Sequence, residues 1–393
     1  MANQNINLTD KRIAIVTHRT IMPVIPGNDL KRFLLKSGVN KLIYITHPLL
    51  LLKESYKLSS ELEFYEKSRI KINSKARHFM LPESISYIKD FIYTLIWVFK
   101  SNKTYDIYFG MNNLNAFAGL ILKKLGRVKK VVYYTIDLFP QRFPNKLINW
   151  VYHRLDKVCV NFCDETWNVS PFLVGYRKRM GMRGKKYARQ YIVPIGIWFD
   201  EIKRVPLNRI KMTKIVYVGH LAPYMGVDLA VRSIPLIKKS IPNIKLEIIG
   251  GGEQVEELKQ LVNELSLHTH VRFHGWKDKK QAEKIITGCA LGLAPFNTLI
   301  IDEKIKNADP AKIKDYLAQG LPVIMTNASV NARAIEKAKC GIIVSYTQKS
   351  LSNAIIQLLT NERLLREYKE NALQYIKQFD WNILFTKNIS RLL

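Results

Sequence analysis

The sequence contains few cysteines, and their positions exclude two kinds of site. Only four occur in 393 residues, at Cys159, Cys163, Cys289 and Cys340. They are too scattered for a disulfide framework. Cys159 and Cys163 have helical spacing, but no pair of histidines completes a zinc site, so small core residues are the favoured interpretation. A reducing cytoplasm fits this usage.

The sequence also lacks a recognisable export or membrane segment. Residues 1–10 are polar, without the apolar core of a secretory signal. The longest apolar run, FIYTLIWVF at 91–99, is too short to cross a bilayer. A buried helix is the favoured interpretation of this run, ahead of a helix lying on a membrane surface. We therefore expect a cytoplasmic protein.

Acidic residues are scarce relative to basic ones. The chain has 62 Lys and Arg against 32 Asp and Glu, a formal net charge of +30. Residues 1–200 contribute 33 against 14, and residues 201–393 contribute 29 against 18. A basic N-terminal half predicts a polyanionic neighbour, which is nucleic acid, an anionic membrane face or a diphosphate-bearing substrate.

Strand and helix patterns alternate along the chain in two series. The first series has strand patterns at 12–17, 41–46, 105–110, 130–135 and 165–170. After a proline-containing and charged linker at 193–214, the second has them at 214–219, 244–250, 271–275, 290–296, 322–326 and 341–345. This order predicts two doubly wound parallel sheets, with a ligand in a cleft at the carboxyl ends of the strands.

One window, NADPAKIKDYLAQGLPVIMT at 307–326, predicts an anion site. Asp309 suits a helix cap, Pro310 the first helical position and Gly320 the left-handed stop. The positive end of such a helix, together with Lys312, suits a diphosphate. Asp315, nearly two turns in, has a carboxylate suited to the two hydroxyls of a ribose. The alternative is that Asp315 is an ordinary surface residue.

Glycine-rich loops follow the first two strands of the second series. They are Gly219-His220 and Gly250-Gly251-Gly252. Glycine permits close approach of the backbone to phosphate oxygens. A three-glycine turn alone is weak evidence, but these loops and the 307–312 segment are predicted at one rim of the sheet.

Four segments resemble the family 4 glycosyltransferases. They are KIVYVGHLAPYMGVDLAV, KLEIIGGGEQVEELKQLV, VRFHGWKDKKQAEKIITGCALGLAPF and DPAKIKDYLAQGLPVI, and the likeness continues into the N-terminal half through YYTIDLFPQRFPNKLINWVYHRLD and DETWNVSP. The resemblance implies the GT-B fold, with an acceptor domain at 1–200 and a nucleotide-sugar domain at 201–377. It also implies that a last helix, at about 378–393, returns to the first domain.

The family signature is a pair of glutamates eight positions apart, and this sequence departs from it. Asp315 stands at the second position, which holds the ribose in the family, and Asn307 stands at the first, near the transferred sugar. His220 and Met225 replace the usual Arg and Lys of the first donor-domain loop. The resemblance places donor contacts at Gly219, His220, Gly250, Gly251, Trp276, Asp309, Pro310, Ala311, Lys312 and Asp315. For Trp276, a core tryptophan is an equal alternative.

In the N-terminal half, Asp137 stands roughly where many relatives carry a histidine facing the sugar. It would orient a sugar hydroxyl or act as a base towards the acceptor; the equal alternative is a helix-capping Asp. His18, Gly27 and Asn28 lie in the first strand-to-helix loop, which touches phosphate or acceptor in relatives. The family implies retention of anomeric configuration, while an Asp here leaves inversion open.

Two basic clusters, at 123–130 and 176–189, favour contact with an anionic inner leaflet. The cations expected to face a membrane are Lys123, Lys124, Arg177, Lys178, Arg179, Lys185 and Lys186. The leading hypothesis is a peripheral membrane glycosyltransferase, independent of metal and cofactor, that uses a nucleotide sugar, with UDP favoured, and a glycan or polyprenyl-diphosphate-linked acceptor. The alternatives are a sugar-nucleotide epimerase, a sugar-binding pseudoenzyme and a nucleic-acid-binding protein, for which no nucleic-acid motif is present.

Overall fold

The chain folds into two compact units in a computed structural model. The structure describes residues 6–19, 26–49, 58–77, 79, 81–182, 189–206, 209–301 and 309–393. The first unit comprises Met1–Ile195 and Trp381–Leu393, and the second comprises Gly196–Asp380. Three residues for which the sequence predicted a role lie outside the described residues: Asn307, Lys185 and Lys186.

The first unit is built on an eight-stranded sheet. Its elements are β1 (Arg12–Arg19), α1 (Pro26–Lys36), β2 (Lys41–Pro48), β3 (Glu61–Glu66), β4 (Arg69–Lys75), α2 (Glu83–Lys100), β5 (Tyr105–Met111), α3 (Asn113–Lys124), β6 (Val128–Thr135), α4 (Lys146–Phe162), β7 (Glu165–Asn168), α5 (Pro171–Arg179) and β8 (Arg189–Ile192). The strand order is β4-β3-β2-β1-β5-β6-β7-β8. The order reverses between β1 and β5, which is where open α/β sheets bind ligands.

β1, β2 and β5 to β8 pair in parallel, whereas β3 pairs antiparallel with both β2 and β4 at one edge of the sheet. β3 and β4 form a hairpin. The sequence analysis did not predict this hairpin, because β4 is exposed along almost its whole length and lacks a buried apolar pattern. β1 and β5 are nearly continuous runs of buried residues, as parallel strands covered on both faces should be.

The 91–99 run is not the buried helix that was the favoured interpretation. It forms the second half of α2, whose one face is buried at Thr94, Trp97 and Val98. Ile92 and Ile96 lie on the opposite face, 48% and 41% exposed. Apolar residues therefore occupy exposed positions of this helix as well as the positions that pack on the core. Among the described residues, no helix combines the length and apolarity needed to cross a membrane.

The second unit is built on a six-stranded, wholly parallel sheet. Its elements are β9 (Lys214–Val218), α6 (Val227–Ser240), β10 (Lys245–Ile249), α7 (Val255–Glu264), β11 (Val271–Phe273), α8 (Lys279–Thr287), β12 (Leu291–Ala294), α9 (Ala311–Ala318), β13 (Val323–Thr326), α10 (Ala332–Lys337), β14 (Gly341–Val344), α11 (Gln348–Leu359) and α12 (Glu362–Ile376). The order β11-β10-β9-β12-β13-β14 is that of a Rossmann sheet. The predicted α/β fold class is confirmed.

The final helix, α13 (Trp381–Ser390), belongs to the first unit. It packs on α1, where the rings of Phe33 and Phe385 have centroids 5.4 Å apart. Trp381 stacks on Phe385 at 4.5 Å and is almost completely buried. The chain thus leaves the first unit, forms the second and returns to the first.

Candidate active site

Helix α9 is held against the second sheet by one tyrosine. The hydroxyl of Tyr316 accepts a hydrogen bond from Val218 N at 2.7 Å and donates one to Leu293 O at 3.3 Å. A Cβ atom at Gly292 would lie 2.4 Å from the Tyr316 ring, so only glycine allows α9 this close to β12. These contacts fix the N-terminus of α9 beside the carboxyl ends of β9 and β12.

Two glycines bring the first two loops of this unit into backbone contact. Gly219 and Gly250 follow β9 and β10 with φ of +136° and +138°. A Cβ atom at Gly250 would lie 1.8 Å from the carbonyl oxygen of Gly219. The predicted closeness of these loops is therefore observed, and it depends on the absence of a side chain at Gly250.

Lys312, in the first turn of α9, reaches this pair of loops. Its Nζ lies 3.0 Å from the Tyr217 hydroxyl and 4.2 Å from the centre of the Tyr217 ring. A Cβ atom at Gly219 would come within 2.9 Å of the same Nζ. Burial lowers the pKa of Lys312 to about 7. An anion bound here would meet a cation, bare loop backbone and the N–H groups of a helix start.

Asp309 does not cap α9, contrary to the sequence prediction. The helix begins at Ala311, its N-cap is Pro310, and no side chain caps it. The Asp309 carboxylate instead forms an ion pair with Lys314 and accepts a hydrogen bond from Asn331 at 2.7 Å. Because Asp309 is occupied in this way, its carboxylate leaves the first N–H groups of the helix uncovered. Gly320 ends the helix as predicted, with φ of +72°.

Asp315 lies on the side of α9 that faces α8. Burial raises the pKa of its carboxyl to about 6, with Lys279 opposing this shift and Glu283 adding to it. Asp315 is therefore a half-buried group with a raised pKa, and its side chain lies beside α8 rather than alone on a solvated helix face. Its role towards a ribose remains a proposal.

Trp276 is not the core residue that was the alternative interpretation. Its side chain is 54% exposed, and its ring stacks on that of His220 with centroids 6.4 Å apart and planes 23° apart. The His220 Nε2 also lies 2.8 Å from a carboxylate oxygen of Glu253. A Cβ atom at Gly251 would be 2.6 Å from the Trp276 Nε1. An exposed aromatic ring beside a glycine loop offers a stacking surface for a planar group.

The first unit contains a pocket of about 440 Å³ at the reversal of its strand order. Three of the lining residues end or follow the strands that flank this point: His18 on β1, Asn112 after β5 and Asp137 after β6. The other walls are α2, α4 and the start of α3. The volume falls in the range of about 300–1,000 Å³ that small-molecule sites occupy.

His18 is a neutral imidazole at the polar end of this pocket. Burial, followed by the neighbouring His47, lowers its pKa to about 4. Its Nδ1 is buried without a hydrogen-bond partner among the described residues, which is unusual for a buried polar atom. The Tyr87 ring contacts it edge-on, with centroids 6.2 Å apart.

Asp137 lies in the same pocket and caps no helix. The next helix after β6 starts at Lys146 and is capped by Asn145, so the capping interpretation of Asp137 was wrong. The open pocket leaves the carboxylate within reach of solvent, while the protein atoms around it desolvate the charge and raise its pKa above the ordinary value.

The other two residues of the predicted phosphate loop do not line the pocket. Gly27 lies in the first turn of α1, where a Cβ atom would meet Thr17 at 2.9 Å, and Asn28 accepts a hydrogen bond from the Tyr44 hydroxyl. Sequence reasoning missed several polar lining residues, among them Arg142, Tyr87 and Asn112. Arg142 donates a hydrogen bond to Tyr87 at 2.9 Å and pairs with Glu83 at 2.7 Å. Asn112 adopts φ of +68°, a conformation that a non-glycine residue seldom takes. Of these, only Asn112 directly follows a strand, which was a signal in the sequence; Tyr87 lies on α2, and Arg142 lies seven residues after the end of β6.

Arg177 does not face a membrane, contrary to the sequence prediction. It is 1% exposed, and its guanidinium donates to Asp156, Asn168 and Thr135. Lys123 is ion-paired with Asp164 at 2.6 Å. Lys124, Lys178 and Arg179 are exposed. Among the residues that the structure describes, no three or more His, Cys, Asp or Glu side chains are grouped to hold a metal.

Residues 199–375 match the family model described as glycosyl transferases group 1. The matched range contains both glycine loops, Trp276 and α9. The second unit is a group 1 glycosyltransferase domain. The resemblance to family 4 glycosyltransferases is thereby confirmed.

Two curated relatives and one solved structure extend this likeness. The chain is 24% identical over 168 residues to poly(glycerol-phosphate) alpha-glucosyltransferase of Bacillus subtilis, covering 42% of this chain and 24% of the relative. It is 23% identical over 186 residues to the GDP-mannose-dependent alpha-(1-6)-phosphatidylinositol monomannoside mannosyltransferase of Mycobacterium tuberculosis, covering 45% and 48%. The matches thus span a quarter to a half of these relatives. HepE of Anabaena, solved with UDP-glucose, aligns over 97% of this chain and 99% of its own, with TM-score 0.67 and 16% identity, which supports the GT-B fold.

Proposed function

We propose that this protein transfers a sugar from a nucleotide-diphosphate sugar, with UDP as the favoured nucleotide, to a lipid-linked or cell-surface glycan precursor. The observation that carries the proposal is the position of Lys312. Its ammonium lies over the backbone of Gly219 at the start of a helix whose N-cap residue, Pro310, has no side-chain acceptor. A diphosphate is the group that this combination of cation, helix N-terminus and bare backbone fits best.

The rest of the donor fits around that diphosphate. Asp315 accepts the ribose hydroxyls, and the exposed Trp276 ring stacks on the base. Asn307 lies outside the described residues, and its role near the transferred sugar rests on the family resemblance alone. UDP is favoured by the likeness to a structure that was solved with UDP-glucose, although the relative from Mycobacterium tuberculosis is named for GDP-mannose.

Departure of the nucleotide needs its negative charge stabilised. Lys312 and the α9 N-terminus do this without a metal, since preorganised cations and dipoles stabilise developing charge. Asp137 orients a hydroxyl at the acceptor, and the sugar is transferred with retention of configuration. The reaction takes place on the inner face of the cell membrane, where the exposed cations Lys124, Lys178 and Arg179 attract anionic lipid.

A thermal-shift panel of UDP-, GDP-, dTDP- and ADP-sugars tests this function. A donor present at 100 times its dissociation constant should stabilise the protein by about 2.7 kcal/mol. The protein should then hydrolyse the same donor slowly and release the nucleotide. A sugar-binding pseudoenzyme would not hydrolyse it. A panel in which no nucleotide sugar shifts the melting temperature would refute the proposal.

A further inference from the structure

The pocket of the first unit has walls suited to a hydrocarbon chain rather than to a sugar. Away from its polar end, the lining consists mainly of aliphatic and phenylalanine side chains, among them Phe91, Leu114, Phe117, Ile148 and Leu155. The rings of Phe91 and Phe117 stack with centroids 6.0 Å apart. A sugar bound against these walls would leave its hydroxyls without partners, at a cost that apolar surfaces do not repay.

The apolar lining continues out of the pocket onto the surface. Ile88 on α2 and Leu147 and Val151 on α4 line the pocket and are at the same time 60%, 69% and 41% exposed. Ile85, Ile92 and Ile96 extend the line along α2, and Trp150 widens it on α4. Exposed apolar side chains that adjoin an apolar pocket in this way are typical of a binding surface.

The exposed charges on the two helices that carry this patch have one sign. In α2 and α4, whose residues the structure describes completely, the exposed positions include Lys100, Lys146, Arg154 and Lys157 and no acidic residue. The acidic residues of these helices are buried or paired: Asp90 accepts from Ser60, Asp156 binds Arg177, and Glu83 binds Arg142. Apolar residues flanked by cations are typical of surfaces that meet anionic lipids.

We infer that this pocket binds the hydrocarbon chain of the acceptor, which is an amphiphile with an anionic headgroup, and that the acceptor enters across the exposed edge of α2 and α4. The inference rests on the proposed function and chooses between its two acceptor classes: the acceptor is a lipid, not a water-soluble glycan. The chain lies between Phe117 and Ile148, and the anionic headgroup lies towards Arg142, the cation of the pocket lining. The hydroxyl that receives the sugar reaches His18 and Asp137.

Titration of the purified full chain with farnesyl phosphate, followed by calorimetry, tests the inference. Inorganic phosphate is the control for binding of the headgroup alone. Dodecyl phosphate has a straight alkyl chain, so comparing it with farnesyl phosphate shows whether the pocket recognises a prenyl chain specifically. We expect farnesyl or dodecyl phosphate to bind at least ten times more tightly than inorganic phosphate. Equal affinities for the three ligands, or no binding of either amphiphile, would overturn the inference.

Three variants locate the binding. Ile88→Asp and Val151→Asp place a charge on opposite walls of the entrance and should each weaken amphiphile binding at least tenfold. Ile383→Asp is the matched control, since Ile383 is 50% exposed on α13 and does not line the pocket; it should bind as the wild type does. Amphiphile binding that survives both entrance variants would contradict the assignment.

Two further titrations separate this inference from the proposed function. UDP is titrated into the same samples: UDP binding without amphiphile binding overturns the lipid pocket and leaves the donor site standing, whereas the loss of both refutes the two together. Vesicles with anionic lipid form the other arm. If they bind the wild type and farnesyl phosphate does not, the apolar patch is a membrane-docking surface, and the lipid pocket is wrong.

Discussion

The ammonium of Lys312 lies 4.2 Å above the centre of the Tyr217 ring and 3.0 Å from its hydroxyl. The ring and the phenol partly replace water around the cation, but not well enough to keep its pKa at the ordinary lysine value. The side chain is therefore positioned to bind an anion, which would compensate for the hydration that the ammonium has lost.

Donor affinity should be greatest between about pH 6 and pH 7. Below the pKa of about 6 of Asp315, protonation removes the carboxylate that accepts the ribose hydroxyls. Above the pKa of about 7 of Lys312, the free protein has lost the cation that the diphosphate needs, so binding must take up a proton and weakens with rising pH. Calorimetry across pH 5 to 9 measures both limbs.

The variant Lys312→Arg distinguishes the titration of Lys312 from that of Asp315 in the pH profile of donor affinity, because a guanidinium stays charged throughout this pH range. The variant should retain the acid limb and lose most of the alkaline one, even if its affinity is lower at every pH. An alkaline limb that persists in Lys312→Arg would assign it to another group.

Asp315→Ala should weaken nucleotide binding by about 1.5–3 kcal/mol, the range for hydrogen bonds to charged groups, and leave the fold intact. The wild type should bind UDP more tightly than its 2′-deoxy analogue, and the variant should bind both alike. Glu283→Ala is the matched control: it removes a neighbouring acidic group that does not reach the ribose, so the discrimination should persist. Equal binding of the two nucleotides by the wild type would exclude the ribose role.

Replacing Lys124, Lys178 and Arg179 by Gln should reduce binding to anionic vesicles by about 3 kcal/mol, on the order of 100-fold, at about 1 kcal/mol per cation. The same replacement at Lys238, Lys239 and Lys337, exposed on the second unit, removes equal charge and should have a smaller effect. Vesicle sedimentation at two salt concentrations is the measurement. Binding by the wild type should fall between 0.1 M and 1 M salt, since the Debye length shortens from about 10 Å to about 3 Å.

Arg177 is left out of these replacements because it is buried. It is the residue for which a prediction from neighbouring residues in the sequence was wrong. It was grouped with its basic neighbours, but its partner Asp156 is twenty-one residues away on α4, and only the fold brings the two side chains together. Removing one member of such a buried pair costs about 3–5 kcal/mol of stability, which would confuse any binding assay.

The parts of the donor site that depend on local chemistry were predictable from the sequence. Gly219, Gly250 and Gly320 adopt positive φ, and Lys312 reaches the loops as the helix pattern indicated. The parts that depend on distant partners were not. Asp309 looked like a helix cap because its neighbours suit a helix start, while Lys314 and Asn331 occupy its carboxylate. The pocket of the first unit was missed because its walls come from three helices far apart in sequence.

Asp137→Asn distinguishes the two roles of this carboxylate. If Asp137 only orients a hydroxyl, the amide keeps the hydrogen bond, and turnover should fall by less than about 100-fold with donor affinity unchanged. Loss of a general base would cost about 10²–10⁴-fold. The anomeric configuration of the product, read from NMR coupling constants, should match that of the donor. An inverted product together with a nearly inactive variant would identify Asp137 as the base.

The central claim is that the loops after β9 and β10, with Lys312, hold the donor diphosphate. Calorimetric titration of the stabilising nucleotide sugar into Lys312→Ala, at pH 6.5, tests it most directly, with Lys238→Ala as the control for loss of an exposed lysine of the same unit. We expect at least tenfold weaker binding by Lys312→Ala, an unchanged affinity in Lys238→Ala, and the same nucleotide bound by both. Wild-type affinity in a folded Lys312→Ala protein would contradict the account.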